Sequence, residues 1–154
     1  MGKREEKLES LGYALSDTPK PAGIYIPLVI DNGMAYASGM VPFEAGALKY
    51  KGKVPSVVSM DDATKAAELC AANLLRVCAR DLGSLDRIKQ VIKLTGFVSS
   101  DPDFTEQHVV MNGASQLMID VLGEAGRHAR SAVGMANLPI GAAVEVEIIV
   151  RLTD

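Results

Sequence analysis

Apolar positions along this chain recur at two periods, and the switches between them mark its elements. From Lys3 to Leu11 charges and leucines alternate at helical spacing until Gly12 closes the run. After Pro19, Pro21 and Gly23, the stretch YIPLVID at 25–31 reads as a strand, and MAYASG at 34–39 reads as another. Asn32-Gly33 between them is the strongest short-range hairpin signal a sequence offers, because both central residues of a tight hairpin turn need positive φ. Glycines and prolines then break the pattern from Val41 to Val57, an irregular excursion in which a short strand is expected around Lys49 to Lys51.

Ser59 caps the next helix, with Asp62 placed to reach back, and Ala63, Ala66, Ala67, Cys70, Leu74, Val77 and Cys78 trace its apolar face up to Gly83. RIKQVIKLTGFVSS at 87–100 is β-branched and crowded with apolar residues, as a strand inside a sheet would be. Ser100 or Asp101, followed by Pro102, opens a second helix running to about Leu122 and stopping at Gly123. Two more apolar runs, joined by Leu-Pro-Ile-Gly in HARSAVGMANLPIGAAVEVEIIVRL at 128–152, read as a C-terminal hairpin. The resulting ββ(β)αβαββ order predicts an α+β fold: a single-layer mixed sheet with two helices on one face. Two helices cannot cover both faces, so a homo-oligomer packing sheet against sheet is expected.

Composition narrows the class. One domain spanning 1–154 is expected, including the short helix at about 3–11, since 154 residues, 48% hydrophobic and 23% charged, match one globular unit. A net charge of −3 with scattered Lys and Arg gives no basic stripe for a phosphate backbone, which argues against nucleic acid. The charged N-terminal stretch carries no apolar core of a signal peptide, and no run approaches membrane-spanning length, so a cytoplasmic protein without membrane contact is expected. Cys70 and Cys78 lie eight residues apart on one helix, about 12 Å by helical rise, beyond disulfide reach; they read as core thiols.

Among motifs, there is no Gly-rich phosphate loop, Cys-x-x-Cys, His-Glu-x-x-His or Gly-x-Ser-x-Gly. His108 and His128 have no carboxylate or cysteine at ligand spacing, so no metal site is expected. What stands out is charge within the apolar C-terminal runs. Strand period places Arg130, Ala132 and Gly134 on one face, with Glu145 and Glu147 opposite Val144 and Val146 on the partner strand. A guanidinium fork set among small residues suits a carboxylate, either a glutamate of the sheet or of a neighbouring subunit, or a ligand. His128, two residues earlier, is either a titratable donor on that face or a histidine at the strand's rim.

ARSAVGMANLPIGAAVEVE, together with Tyr25, SGMVP at 38–42, AANLLRV around Asn73, IKQVIKLTGFVSS and Asn112, resembles the YjgF/RidA (Rid) family, whose fold is chorismate-mutase-like. The stretches HVVMNGASQ and GEAGRHARS resemble its longer, endoribonuclease-like branch. The resemblance implies a homotrimer with sheets packed around a central barrel, clefts between subunits, and hydrolysis of 2-imino and 2-enamino acids to 2-keto acids and ammonia. It implies that Arg130 binds the substrate carboxylate and Glu145 positions the attacking water. The Ala132 carbonyl would hold that water or the amine, while Tyr25, Ser38, Gly39 and Asn112, or His108 in its place, line the pocket. Ala132 stands where many members carry cysteine, which leaves only a backbone role, and Glu147 is read as structural. No metal or organic cofactor is implied, because a protonated imine is already electrophilic. Three readings follow, in this order: an imine deaminase, a non-catalytic trimer sensing small carboxylates, and an endoribonuclease.

Overall fold

The structure is a computed structural model that describes residues 1–21 and 23–153. Helix α1 (Lys3–Ser10) is followed by the hairpin β1 (Leu28–Asp31) and β2 (Met34–Met40). Asn32 at φ 48 and Gly33 at φ 74 form its tip, as the Asn-Gly pair predicts. β1 begins three residues later than the expected Tyr25. Pro27 has no N–H to give a ladder, and the carbonyls of Ile26 and Pro27 are taken by Ser38 Oγ (3.0 Å) and Ser38 N (2.8 Å). The expected strand around Lys49 to Lys51 is instead a small hairpin just before it, β3 (Phe43–Glu44) with β4 (Ala47–Leu48), turning through Ala45 and Gly46 at positive φ. Buried Asn73 anchors it, donating from Nδ2 to the carbonyls of Val41 (3.2 Å) and Phe43 (3.0 Å).

Helix α2 (Met60–Leu82) starts at Ser59, whose hydroxyl accepts from the Asp62 amide, and ends at Gly83 with φ 82. The Asp62 carboxylate does not reach back to the cap; it meets Lys65 at 3.6 Å. All seven residues assigned to the apolar face are fully buried. Strand β5 (Ile88–Ser99) leads to α3 (Gln107–Val110) and α4 (Asn112–Leu122), then β6 (Ala129–Met135) and β7 (Val144–Leu152). The second helix starts at Gln107 rather than at Ser100–Pro102. The Asp101 carboxylate is occupied by Ser56, N at 2.9 Å and Oγ at 3.0 Å, which ties this residue to the 53–58 segment and leaves it unavailable as a cap.

The five-stranded mixed sheet runs β1-β2-β7-β5-β6, with only β5 and β6 parallel. The expected C-terminal hairpin therefore does not form: β5 lies between β6 and β7. The α3–α4 connection returns the chain beside β5 in parallel, leaving β7 to fill the gap between β5 and β2. Val144, Val146, Ile148, Val150 and Leu152 of β7 and Ile88, Val91, Leu94 and Val98 of β5 pack under α2 and α4 in one core. On the opposite face the single chain leaves Val29, Tyr36 and Val133 more than 40% exposed, beside Glu145, Glu147 and Lys93. Both cysteines are free and buried in the core; burial pushes the Cys78 thiol up to about 12 and raises Cys70 as well, so both stay protonated. No helix among the described residues is long and apolar enough to cross a membrane.

Candidate functional site

β6 is the edge strand of the sheet, and Arg130 leaves it on the helix side, where α3 and α4 begin. Its Nη1 donates to Asn112 Oδ1 (3.1 Å) and Ser115 Oγ (3.0 Å), and its Nη2 to the His108 carbonyl (2.9 Å). These bonds use three of five N–H groups. Nε–H and one N–H of Nη2 have no acceptor among the described residues, and no carboxylate there lies within 4 Å of the guanidinium. The possibility of a strand-to-strand ion pair with Glu145 or Glu147 is thus removed: both glutamates sit two strands away, roughly 10 Å across the sheet, on its other face.

Ser115 was not singled out by the sequence, although it lies one helical turn after Asn112, a spacing that puts both on one face. Its hydroxyl joins Arg130 to His128, whose Nε2 is 2.9 Å away, while His128 Nδ1 lies 2.6 Å from the Gly126 carbonyl. Burial, with a smaller contribution from the Arg130 charge, lowers the His128 pKa below its ordinary 6.5, against the Gly126 bond, which raises it. Ser115, Ile119, Arg127, His128 and Arg130 line a shallow cavity of about 210 Å³. Asn112, rather than the His108 imidazole, meets Arg130; His108 contributes its carbonyl. Ala132, on the same face as Arg130, opposite Gly96 in the ladder, packs its methyl against the core.

A second group forms at the junction of β2 and β7. Gly39 lies so close to Glu145 that a Cβ there would overlap the carboxylate, and Ser38 beside it is bonded to the segment carrying Tyr25, itself 48% exposed. The Glu145 carboxylate has no hydrogen-bond donor among the described residues, and burial foremost, with Glu147 beside it, raises its pKa. The seven residues singled out from the sequence thus fall into two groups on opposite faces of one chain: Arg130, Asn112 and Ala132, and Glu145, Gly39, Ser38 and Tyr25. A larger cavity, about 810 Å³ between α1 and the end of α2, contains none of them.

A mixed five-stranded sheet carrying two long helices on one face, with a tethered arginine at its edge, defines a chorismate-mutase-like α+β protein. The chain belongs to the family described as "YjgF/chorismate_mutase-like, putative endoribonuclease", whose model matches residues 5–152. Protein TCP17 of Trypanosoma cruzi is 40% identical over 154 residues, covering 99% of this chain and 96% of that protein. A crystal structure of the protein Atu1372, of unknown function, from Agrobacterium tumefaciens is 47% identical with a TM-score of 0.88, covering 97% of this chain and 92% of that one. A crystal structure named as a putative endoribonuclease from Shewanella oneidensis is 27% identical with a TM-score of 0.93, covering 98% and 100%.

Proposed function

We propose that this protein is a homotrimer that binds small 2-imino or 2-enamino acids in clefts between subunits and hydrolyses them to 2-keto acids and ammonia. The observation that carries this reading is the Arg130 guanidinium, held by three neutral acceptors with two donors left over and no carboxylate among the described residues to take them. A ligand carboxylate completes such a fork with charge-assisted hydrogen bonds. The open sheet face supports assembly: it carries both the exposed apolar residues and the Glu145 group, and the composite cleft requires the edge strand of a neighbour packed there to present its Arg130 to that glutamate.

In the composite cleft, Arg130 of one subunit holds the carboxylate and orients C2 of the iminium. Glu145 of the next takes a proton from water as its oxygen adds to C2, giving a carbinolamine. The protonated Glu145 then returns that proton to the amine nitrogen. The C–N bond breaks as the hydroxyl proton passes to Glu145, giving the keto acid, and the departing ammonia takes that proton from Glu145 and leaves as ammonium. A carboxyl group with a raised pKa is suited to these transfers. The Ala132 carbonyl holds the water or departing amine, and Tyr25, Ser38, Gly39 and Asn112 line the cleft. Nothing in this scheme calls for a metal or organic cofactor.

Purified protein is expected to accelerate ammonia release from imino acids made in situ by an amino-acid oxidase. Glu145→Gln should lower that acceleration by about 100-fold, the lower end of the range for a lost acid–base group, or more, while 2-oxobutanoate still binds. Binding without turnover by the wild type would favour a carboxylate sensor. Light scattering should give three times 16.3 kDa; a stable monomer sinks the composite cleft.

A further inference from the structure

We infer that Ser115 and His128 are positioning residues for Arg130: the imidazole, through the serine hydroxyl, sets which donors this corner of the site presents to a bound carboxylate. The inference rests on the reading of Arg130 as the carboxylate site and adds a proton to it.

The bonds run in one direction. Arg130 Nη1 can only donate, so Ser115 Oγ accepts there and has its own O–H to give to His128 Nε2. The Gly126 carbonyl can only accept, so the proton of the neutral imidazole sits on Nδ1. In this state the serine proton is committed to His128 Nε2. When His128 gains a second proton, Nε2–H donates to Ser115, whose oxygen then accepts from two cationic groups. The serine O–H is released to turn towards an acceptor, and a carboxylate on Arg130 is the acceptor that arrives there.

Without a ligand the Arg130 charge opposes this protonation; a bound carboxylate neutralises Arg130 and favours it. By linkage, ligand binding draws a proton onto His128, and affinity rises as pH falls through the His128 titration. The groups around His128 do not supply this coupling themselves. From the turn after α4, Glu124 is held by Arg127 at 3.0 Å. From α4, Asp120 accepts from Gln116. From β5, Gln90 is uncharged and gives its amide to the Arg127 carbonyl, while Lys93 is bonded to Ser131 on the other sheet face. Arg130 on β6 is the charge in contact with the relay.

The experiment uses the full chain and 2-oxobutanoate as probe, in a Glu145→Gln background, which removes the titration of that carboxylate from the pH dependence. Calorimetry should show binding about fivefold tighter at about pH 5 than at about pH 8, the lower end of ordinary coupling between sites. His128→Gln, which can still accept from Ser115, should keep the pH 8 affinity and lose the pH dependence. Ser115→Ala should bind more weakly at both. Nitrogen NMR of the two imidazoles should show His128 with its neutral proton on Nδ1 and a titration midpoint that rises on adding 2-oxobutanoate. In ligand-free Arg130→Gln that midpoint should rise as well. A pH slope unchanged by His128→Gln, or a midpoint indifferent to both ligand and Arg130→Gln, overturns the relay. No binding by the wild type at either pH overturns the carboxylate reading instead, and the ligand-free arm distinguishes the two failures.

Discussion

Arg130→Ala is expected to lower the acceleration of ammonia release by at least about 100-fold and to abolish measurable 2-oxobutanoate binding, with the fold intact. Two charge-assisted hydrogen bonds at about 1.5–3 kcal/mol each amount to at least about 3 kcal/mol, hence a factor of about 100 or more. The fold should survive because β6 is held to β5 through its backbone from Ala129 to Met135, while the guanidinium sits half-buried at the sheet edge. Arg130→Lys should recover little, since an ammonium keeps the charge but loses the planar fork. The coupled oxidase assay and calorimetry check both variants. Near-wild-type rates in Arg130→Ala would falsify the assignment of the carboxylate to this residue.

Gly113→Ala is expected to destabilise the protein by about 2 kcal/mol and to weaken the same site. α4 crosses α2 so closely at Gly113 that a Cβ would overlap the backbone carbonyl of Thr64, which cannot swing aside as a side chain would. Overpacking of this kind costs about 1–3 kcal/mol or more, offset by the better helix propensity of alanine, about 1 kcal/mol. For a chain of this size such a loss corresponds to a fall in Tm of roughly 4–8 °C. Asn112 precedes Gly113 and Ser115 follows two residues on, so forcing α4 outward also shifts two of the three acceptors that hold Arg130. Thermal unfolding together with 2-oxobutanoate titration tests both parts. An unchanged Tm would mean that the helices can part at little cost.

The periodic parts of the fold were legible because they rest on local rules. The Asn32-Gly33 hairpin, the Ser59 cap, the buried face of α2 and the Gly83 stop all follow from residues within a turn or two of one another. Where the reading failed, a distant partner had taken the group that the local rule relied on. Asp101 looks like a helix cap but is bound to Ser56, forty-five residues earlier. Tyr25–Pro27 looks like strand, but the carbonyls of Ile26 and Pro27 accept from Ser38. Glycine 113 carried no distinguishing local signal; only the crossing of α2 and α4 shows why a side chain does not fit there.

The candidate site divides in the same way. The sequence by itself named candidates for it: Arg130 among small residues, Glu145 in strict alternation with buried valines, Gly39 and Asn112 in order along the chain; and through the resemblance they carry it gave the family. Strand alternation depends only on the two-residue period of the backbone, so the faces could be read before any pairing was known. Tertiary structure decided which strands are neighbours, and with that the chemistry. Insertion of β5 between β6 and β7 separates Arg130 from both glutamates and gives the arginine to Asn112, Ser115 and the His108 carbonyl. It also brings His128 onto Ser115, a contact between residues thirteen apart that no periodicity encodes. Long-range pairing is chosen by the packing of the whole core, and no short window of residues contains that information.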